Sequence, residues 1–223
     1  KAGTVGDRPG NFAVQNSDLL LVLGSRLNIR QVSYNYKMFA RAAKIIWVDV
    51  DKTELNKHTV KPYMKVHKNL NIFLPRFTQK IKNKLKLHED WLKWCKKRKI
   101  KYPVVKNEFY NSKKQINPYC LIDILSKNMK NNDIVVTANG TAVVTTHQAF
   151  KIKKGQRVWS NSGSATMGYD LPAAIGACYS SGKKNILCIT GDGSIMMNLQ
   201  ELETIKSNKL PIKIVIINNK GYV

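Results

Sequence analysis

Apolar residues in this chain fall into short unbroken runs, separated by polar stretches rich in glycine, asparagine and lysine. Leu19–Leu23, Ile134–Val136, Ile186–Ile189 and Ile212–Ile217 (interrupted once, by Lys213) are the clearest runs, and Lys44–Asp51 is a longer, mixed one. Runs of this length without alternation read as strands buried on both faces, as in parallel sheets. A weaker strand is expected near Tyr63–His67. Helical spacing is expected around Tyr34–Ala43, from near Thr53, over Phe77–Leu87 and Glu89–Lys97, and from Asn117 through Lys127. Asn117 would cap that last helix, with Pro118 in its first position. Strands alternating with helices predict an α/β fold: two parallel-sheet αβα domains, residues 1–75 and 117–223, joined by a basic helical linker, 76–116. Within the linker Trp91 and Trp94 share a helix face, read as core rather than as a stacking platform.

The last forty residues organise the chain. Ile186–Ile189 runs into Thr190-Gly191-Asp192-Gly193-Ser194, and Ile212–Ile217 runs into Asn218-Asn219-Lys220-Gly221-Tyr222. Between them Asn198–Asn208 reads as a helix, with Leu199, Leu202 and Ile205 on one face. This is a βαβ unit whose strand ends lie side by side, where open α/β sheets bind ligands. Gly191 and Gly193 allow a tight turn that brings backbone N–H groups to an anion. The Asp192 carboxylate and the amide oxygens of Asn218 and Asn219 suit Mg²⁺ beside a phosphate. Either motif alone is common; Asp192 and Asn219, 27 residues apart across one βαβ unit, make a pair.

Two further stretches carry candidate chemistry. Ala138-Asn139-Gly140-Thr141 leaves the strand Ile134–Thr137 and reads as another anion-cradling loop. Asn161–Gly168 is a loop of small residues leading into an apolar helix through Ala177, which lets a ligand ring pack against backbone. Asp49 and Asp51, at another strand end, suit either a ribose hydroxyl or the cap of the helix near Thr53.

The formal net charge of +24 raises nucleic acid as a partner. However, the lysines are scattered, densest over Lys80–Lys114, without arginine clusters or an aromatic-spaced RNA motif. A basic binding module is therefore the non-enzyme alternative. A nicotinamide dehydrogenase would need Gly-x-Gly-x-x-Gly after a strand, which the chain lacks. No apolar run approaches the roughly 18 residues of a membrane span, and no signal core opens the chain. Four widely spaced cysteines without a Cys-x-x-Cys pair suggest a cytoplasmic protein. His58, His67, His88 and His147 show neither metal-ligand nor triad spacing.

Gly191-Asp192-Gly193-Ser194 followed by Asn218-Asn219 resembles the cofactor motif of thiamin diphosphate enzymes. Over 191–222 the wording is similar to the acetolactate synthase large-subunit branch, and residues 10–55 resemble the end of that family's middle domain. The resemblance implies that 1–75 is the C-terminal part of that middle domain and 117–223 the diphosphate-binding domain. It implies Mg²⁺ held by the side chains of Asp192 and Asn219 and the carbonyl of Gly221, with Gly193 and Ser194 at the phosphates. Gly140 and Thr141 stand where the family carries Gly-Gln-His. By the same resemblance Met167 bends the cofactor into a V, bringing its 4′-imino nitrogen to the thiazolium C2 proton, while the Ala165 carbonyl and the Met167 N–H hold its aminopyrimidine. FAD enters at Arg30 and Asp49, although Leu27-Asn28-Ile29-Arg30, in place of the family's Phe-Asp-Asp-Arg, argues against it. The activity implied is decarboxylation of a 2-oxo acid, pyruvate, and carboligation to a second carbonyl. A related decarboxylase, or transfer of a two-carbon unit to a keto-sugar nucleotide, is the alternative. The resemblance further implies a homodimer or homotetramer and a piece of a chain more than twice as long. Its first domain would supply the activating glutamate, so no catalytic side chain is expected within these residues.

Overall fold

The computed structural model describes residues 2–82, 84, 86–112, 115–182 and 184–221. The chain divides into two units, Lys1–Pro103 and Val104–Val223.

The first unit holds a parallel three-stranded sheet in the order β1 (Leu19–Leu23), β2 (Lys44–Asp49), β3 (Met64–His67). Leu19 sits opposite Lys44, and Ile46 opposite Met64. Its helices are α1 (Arg8–Asn16), α2 (Ile29–Val32), α3 (Lys52–Asn56), α4 (Leu70–Ile81) and α5 (Glu89–Lys101). Val22, Leu27, Val32, Ile45, Trp47 and Leu55 form its core. The helix expected over Tyr34–Ala43 is only a 3₁₀ turn, Tyr36–Met38. Ser33 and Ala40 take positive φ, which breaks the helix and lets Tyr36 and Phe39 pack on the same core. The helix expected over 77–87 forms earlier, as α4; Asn83 and Leu85 lie outside the described residues, as do Lys113 and Lys114 of the polar stretch beyond Pro103. Near its end α5 meets α1: the Arg8 guanidinium lies 4.4 Å over the Tyr102 ring, and Phe12 is 5.1 Å from it. Trp91 and Trp94 do share a face, stacked 5.1 Å apart, but Trp91 is 36 % exposed. The pair is a surface stack, held by Arg98 over the Trp94 ring, and not core.

The second unit runs α6 (Pro118–Asn128), β4 (Ile134–Thr137), α7 (Thr141–Ala149), β5 (Arg157–Ser160), α8 (Asp170–Ser180), β6 (Ile186–Gly191), α9 (Asp192–Met196), α10 (Glu201–Ser207) and β7 (Ile212–Ile217). The Asn117 side chain accepts the Tyr119 N–H at 2.9 Å, the expected cap of α6. The four strands are parallel, in the order β5-β4-β6-β7. Leu171, Ala174 and Cys178 of α8 pack with Ile134, Val136, Ile186 and Cys188 of the sheet. Ile122, Ala142 and Phe150 pack with Val135, Leu187 and Ile189. Asp123 is buried beneath the Lys127 ammonium (2.6 Å), the Lys151 ammonium (2.9 Å) and the Tyr110 hydroxyl (2.6 Å). Burial alone would raise its carboxyl, yet these three donors outweigh burial and hold it well below the usual carboxylate range. None of the four cysteines forms a disulfide, and burial pushes the Cys188 thiol up.

The sheet order fixes where a ligand can sit. After β4 the chain leaves toward β5, whereas after β6 it leaves the other way, toward β7. The two connections diverge, and the gap opens between the carboxyl ends of β4 and β6.

Candidate functional site at the strand ends

A cavity of about 130 Å³ occupies that gap. The end of β4 gives it Asn139, Gly140, Thr141 and Ala142; the loop before α8 gives Met167. The end of β6 gives Gly191, Asp192, Gly193 and Ser194, and the end of β7 gives Ile217, Asn219 and Gly221. Nine of the ten residues expected at the site thus meet here. Ala165 is not among the lining residues: its φ is +54° and its N–H donates to the Asn161 carbonyl at 2.7 Å. Ile217 and Ala142 were not anticipated, and Asn139 was expected only as part of the loop Ala138–Thr141. Asn139 directly precedes Gly140, so its place after the strand was the available signal; its Nδ2 is buried with no partner.

The glycines act differently from the expectation. Gly191 has φ −95°, a backbone open to any residue, so it is not needed to turn the chain. Asp192-Gly193-Ser194 does not form an open loop but winds directly into α9. What the glycines provide is bare floor. A Cβ built at Gly191, Gly140 or Gly221 would meet no protein atom within 4 Å, so a ligand can approach the backbone there. Gly140 (φ +58°) also starts α7 without a side-chain cap, leaving first-turn N–H groups for an anion.

The two asparagines divide the work. Asn218 Oδ1 accepts the Lys220 N–H at 3.0 Å and is spent on the turn. The Asn219 amide instead faces the Gly221 carbonyl oxygen at 2.8 Å and Asp192 Oδ1 at 3.1 Å. With its nitrogen toward them it donates to both. With its oxygen toward them, these two separations match those of neighbouring ligands in an octahedron with metal–oxygen bonds of roughly 2.1 Å. Asp192 carries the only formal charge among the described lining residues. An anionic ligand would meet a carboxylate and no lysine or arginine, so a cation has to stand between them. The residues present fit a divalent cation with a phosphate-bearing ligand.

Ser194 lines the cavity, but its hydroxyl is engaged elsewhere: it accepts the Gly168 N–H at 2.9 Å and donates to Asp170 Oδ1 at 3.3 Å. The face Leu199, Leu202, Ile205 is not a buried stripe. The helix is only α10, Leu199 precedes it, Leu199 and Leu202 are exposed, and Ile205 alone packs on the core.

Comparison with known proteins decides the family. Residues 1–77 match the central domain of thiamine pyrophosphate enzymes, and residues 138–223 match their C-terminal, thiamine pyrophosphate-binding domain. The chain carries two domains of a thiamine pyrophosphate enzyme. Its relatives include the acetolactate synthase isozyme 1 large subunit of Escherichia coli, 32 % identical over 98 % of this chain and 38 % of that protein. Chloroplastic acetolactate synthase 2 of Nicotiana tabacum is 34 % identical over 94 % of this chain and 32 % of its own. The Arabidopsis thaliana enzyme is 33 % identical over 94 % and 31 %. The chain therefore spans about a third of the length of the acetolactate synthases it matches.

In the first unit, which matches the central domain of thiamine pyrophosphate enzymes, the acids hold backbone. Asp51 Oδ1 accepts the Thr53 N–H at 2.8 Å and caps α3, and Asp49 Oδ1 accepts the Asp51 N–H at 2.9 Å. Asp49 is buried, and of the two uses named for these acids the helix cap is the one the fold shows, made by Asp51. Arg30 lies in α2, behind the Asn28 cap.

Proposed function

We propose that the protein containing this chain binds thiamin diphosphate through Mg²⁺ at the cavity, decarboxylates a 2-oxo acid, pyruvate, and joins the two-carbon unit to a second carbonyl. The observation that carries this is the meeting of the Asp192 carboxylate, the Asn219 amide and the Gly221 carbonyl beside a glycine floor, with no positive side chain among the described lining residues. Asp192, Asn219 and the Gly221 carbonyl would hold the metal. The first-turn N–H groups of α7, the Thr141 hydroxyl and the backbone at Gly193 and Ser194 would take the phosphate oxygens. Met167 would support the cofactor's bend, with the Ala165 carbonyl at its aminopyrimidine. The bound group supplies a thiazolium carbon that adds to a 2-oxo acid and an electron sink for decarboxylation. FAD is left out, given how Asp49 is spent.

The same reading assigns 1–75 to the middle domain, 76–116 to the link and 117–223 to the cofactor domain. It takes the activating glutamate from outside these residues. It makes the enzyme a homodimer or homotetramer, since the cavity is well below the roughly 300 Å³ of a complete ligand site and Met196, Met197 and Leu199 are exposed nearby. Cytoplasmic location is part of the proposal, supported by four cysteines that remain thiols. Among the described residues no helix is long and apolar enough to cross a membrane.

The test uses the full-length protein: tryptophan-fluorescence titration with thiamin diphosphate, with and without Mg²⁺, followed by product analysis with pyruvate. Saturable, metal-dependent binding and release of CO₂ with a carboligation product are expected. Metal-independent binding, or none, would overturn the reading. Binding that falls steeply with salt and needs no metal would favour the basic module instead.

A further inference from the structure

The loop that brings Met167 to the cavity is held at one residue, Gly168. Its φ is +78°, and a Cβ there would come within 2.7 Å of Met197 Cβ and 2.8 Å of Asn198 Nδ2. Both its backbone polar groups are taken by side chains that follow β6. Its N–H donates to Ser194 Oγ at 2.9 Å, and its carbonyl accepts Asn198 Nδ2 at 2.7 Å. Ser194 can accept from Gly168 only if its own proton points elsewhere, and Asp170 Oδ1, 3.3 Å away, receives that proton. Asp170 and Ser194 are both buried, and Asp170 stands in the first turn of α8. Its Oδ2 has no partner.

We infer that Asp170 and Asn198 are positioning residues: through Gly168 they lock the Met167 loop to the segment that carries Asp192. Asp170 sets the Ser194 hydroxyl, Ser194 and Asn198 clamp the Gly168 peptide, and Met167, one residue before, is fixed against the cavity. The Met167 loop and the segment after β6 then move as one piece. This rests on the reading that the cavity receives thiamin diphosphate.

The experiment compares the full-length wild type with Asp170→Ala, Asp170→Asn and Asn198→Asp. It reads cofactor affinity at saturating Mg²⁺, the unfolding midpoint without cofactor, and the Met167 methyl resonance, assigned with Met167→Leu. Asp170→Ala and Asn198→Asp should each raise the dissociation constant about tenfold, the loss of one buried hydrogen bond. Both should displace or broaden the Met167 methyl signal, with the unfolding midpoint lowered by no more than a few degrees. Asp170→Asn keeps an acceptor for the Ser194 proton and should stay within about twofold of wild type. Unchanged affinity and an unmoved Met167 signal in Asp170→Ala and Asn198→Asp would overturn the inference and leave the cofactor reading standing. Affinity lost only in proportion to stability would overturn it as well. If Asp170→Ala does not fold, Asn198→Asp decides by the same criteria. Failure of the wild type itself to bind would overturn the cofactor reading, and the inference with it.

Discussion

The two units are built alike, as parallel sheets with helices between the strands, and their strand ends differ in what is left over. In the first, Asp51 caps α3, Asp49 holds the Asp51 N–H, and His67 Nε2 is 2.9 Å from the Val50 carbonyl. In the second, the Asn219 amide faces the Gly221 carbonyl and the Asp192 carboxylate at the ends of β6 and β7, and a Cβ at Gly191 or Gly221 would meet no protein atom within 4 Å. Architecture alone does not make a site. A strand end becomes one when its polar groups are not consumed by the turn that follows.

The comparison breaks first at Asp192. Replacing it with alanine should weaken Mg²⁺-dependent cofactor binding on the order of a hundredfold or more, by the loss of a charged metal ligand, while barely changing the unfolding midpoint without cofactor. Asp49→Ala should show the reverse, lower stability with normal binding, and calorimetry beside the same titration reads both. A carboxylate consumed within the second unit sharpens the contrast. Asp123→Ala should cost about 2 kcal/mol near neutral pH in denaturant unfolding, a buried pair discounted because both lysines are more than half exposed. Its carboxyl is lowered on folding, so this contribution is complete above the unfolded value near 3.8 and is lost as pH falls below it. Asp123→Asn should therefore flatten the acid limb of stability against pH. Asp51→Ala should lower the melting midpoint by a few degrees through the lost cap and leave cofactor binding untouched. The smallest change in stability belongs to Gly191→Ala: a gain of about 0.5 kcal/mol without cofactor, since φ is ordinary and the space open, with weaker binding because the methyl occupies the floor.

The sequence was most legible where burial is complete. Ile134–Thr137, in the interior of its sheet and buried throughout, was read with the limits it has in the fold, because such a strand must be apolar on both faces. The strand β5, Arg-Val-Trp-Ser, went unread: at the sheet edge it alternates exposed and half-buried positions, and four residues are too few for a period to register. Tyr34–Ala43 was misread as a helix because aromatic and alanine content mimics helical spacing, while Ser33 and Ala40, which break it, carry no local sign of positive φ. At the site, the spacing of Asp192 and Asn219 was enough to bring both to one cavity, and no local pattern separated Asn219 from Asn218. That difference lies in which amide the Lys220 N–H claims. Asp170 and Asn198 were invisible for a similar reason, since their roles are contacts across 24 and 30 residues of chain.

The diverging connections around β4 and β6 also bear on time. Segments at 139–142, 167, 191–194 and 217–221 meet only after four parallel strands have paired, contacts of high sequence separation that form slowly. The cavity is therefore absent until the sheet is finished, and a molecule that spans it meets no partly folded species it can recognise. Such a molecule should leave the refolding rate alone and slow unfolding, so that it prolongs the life of the native state without hastening its arrival.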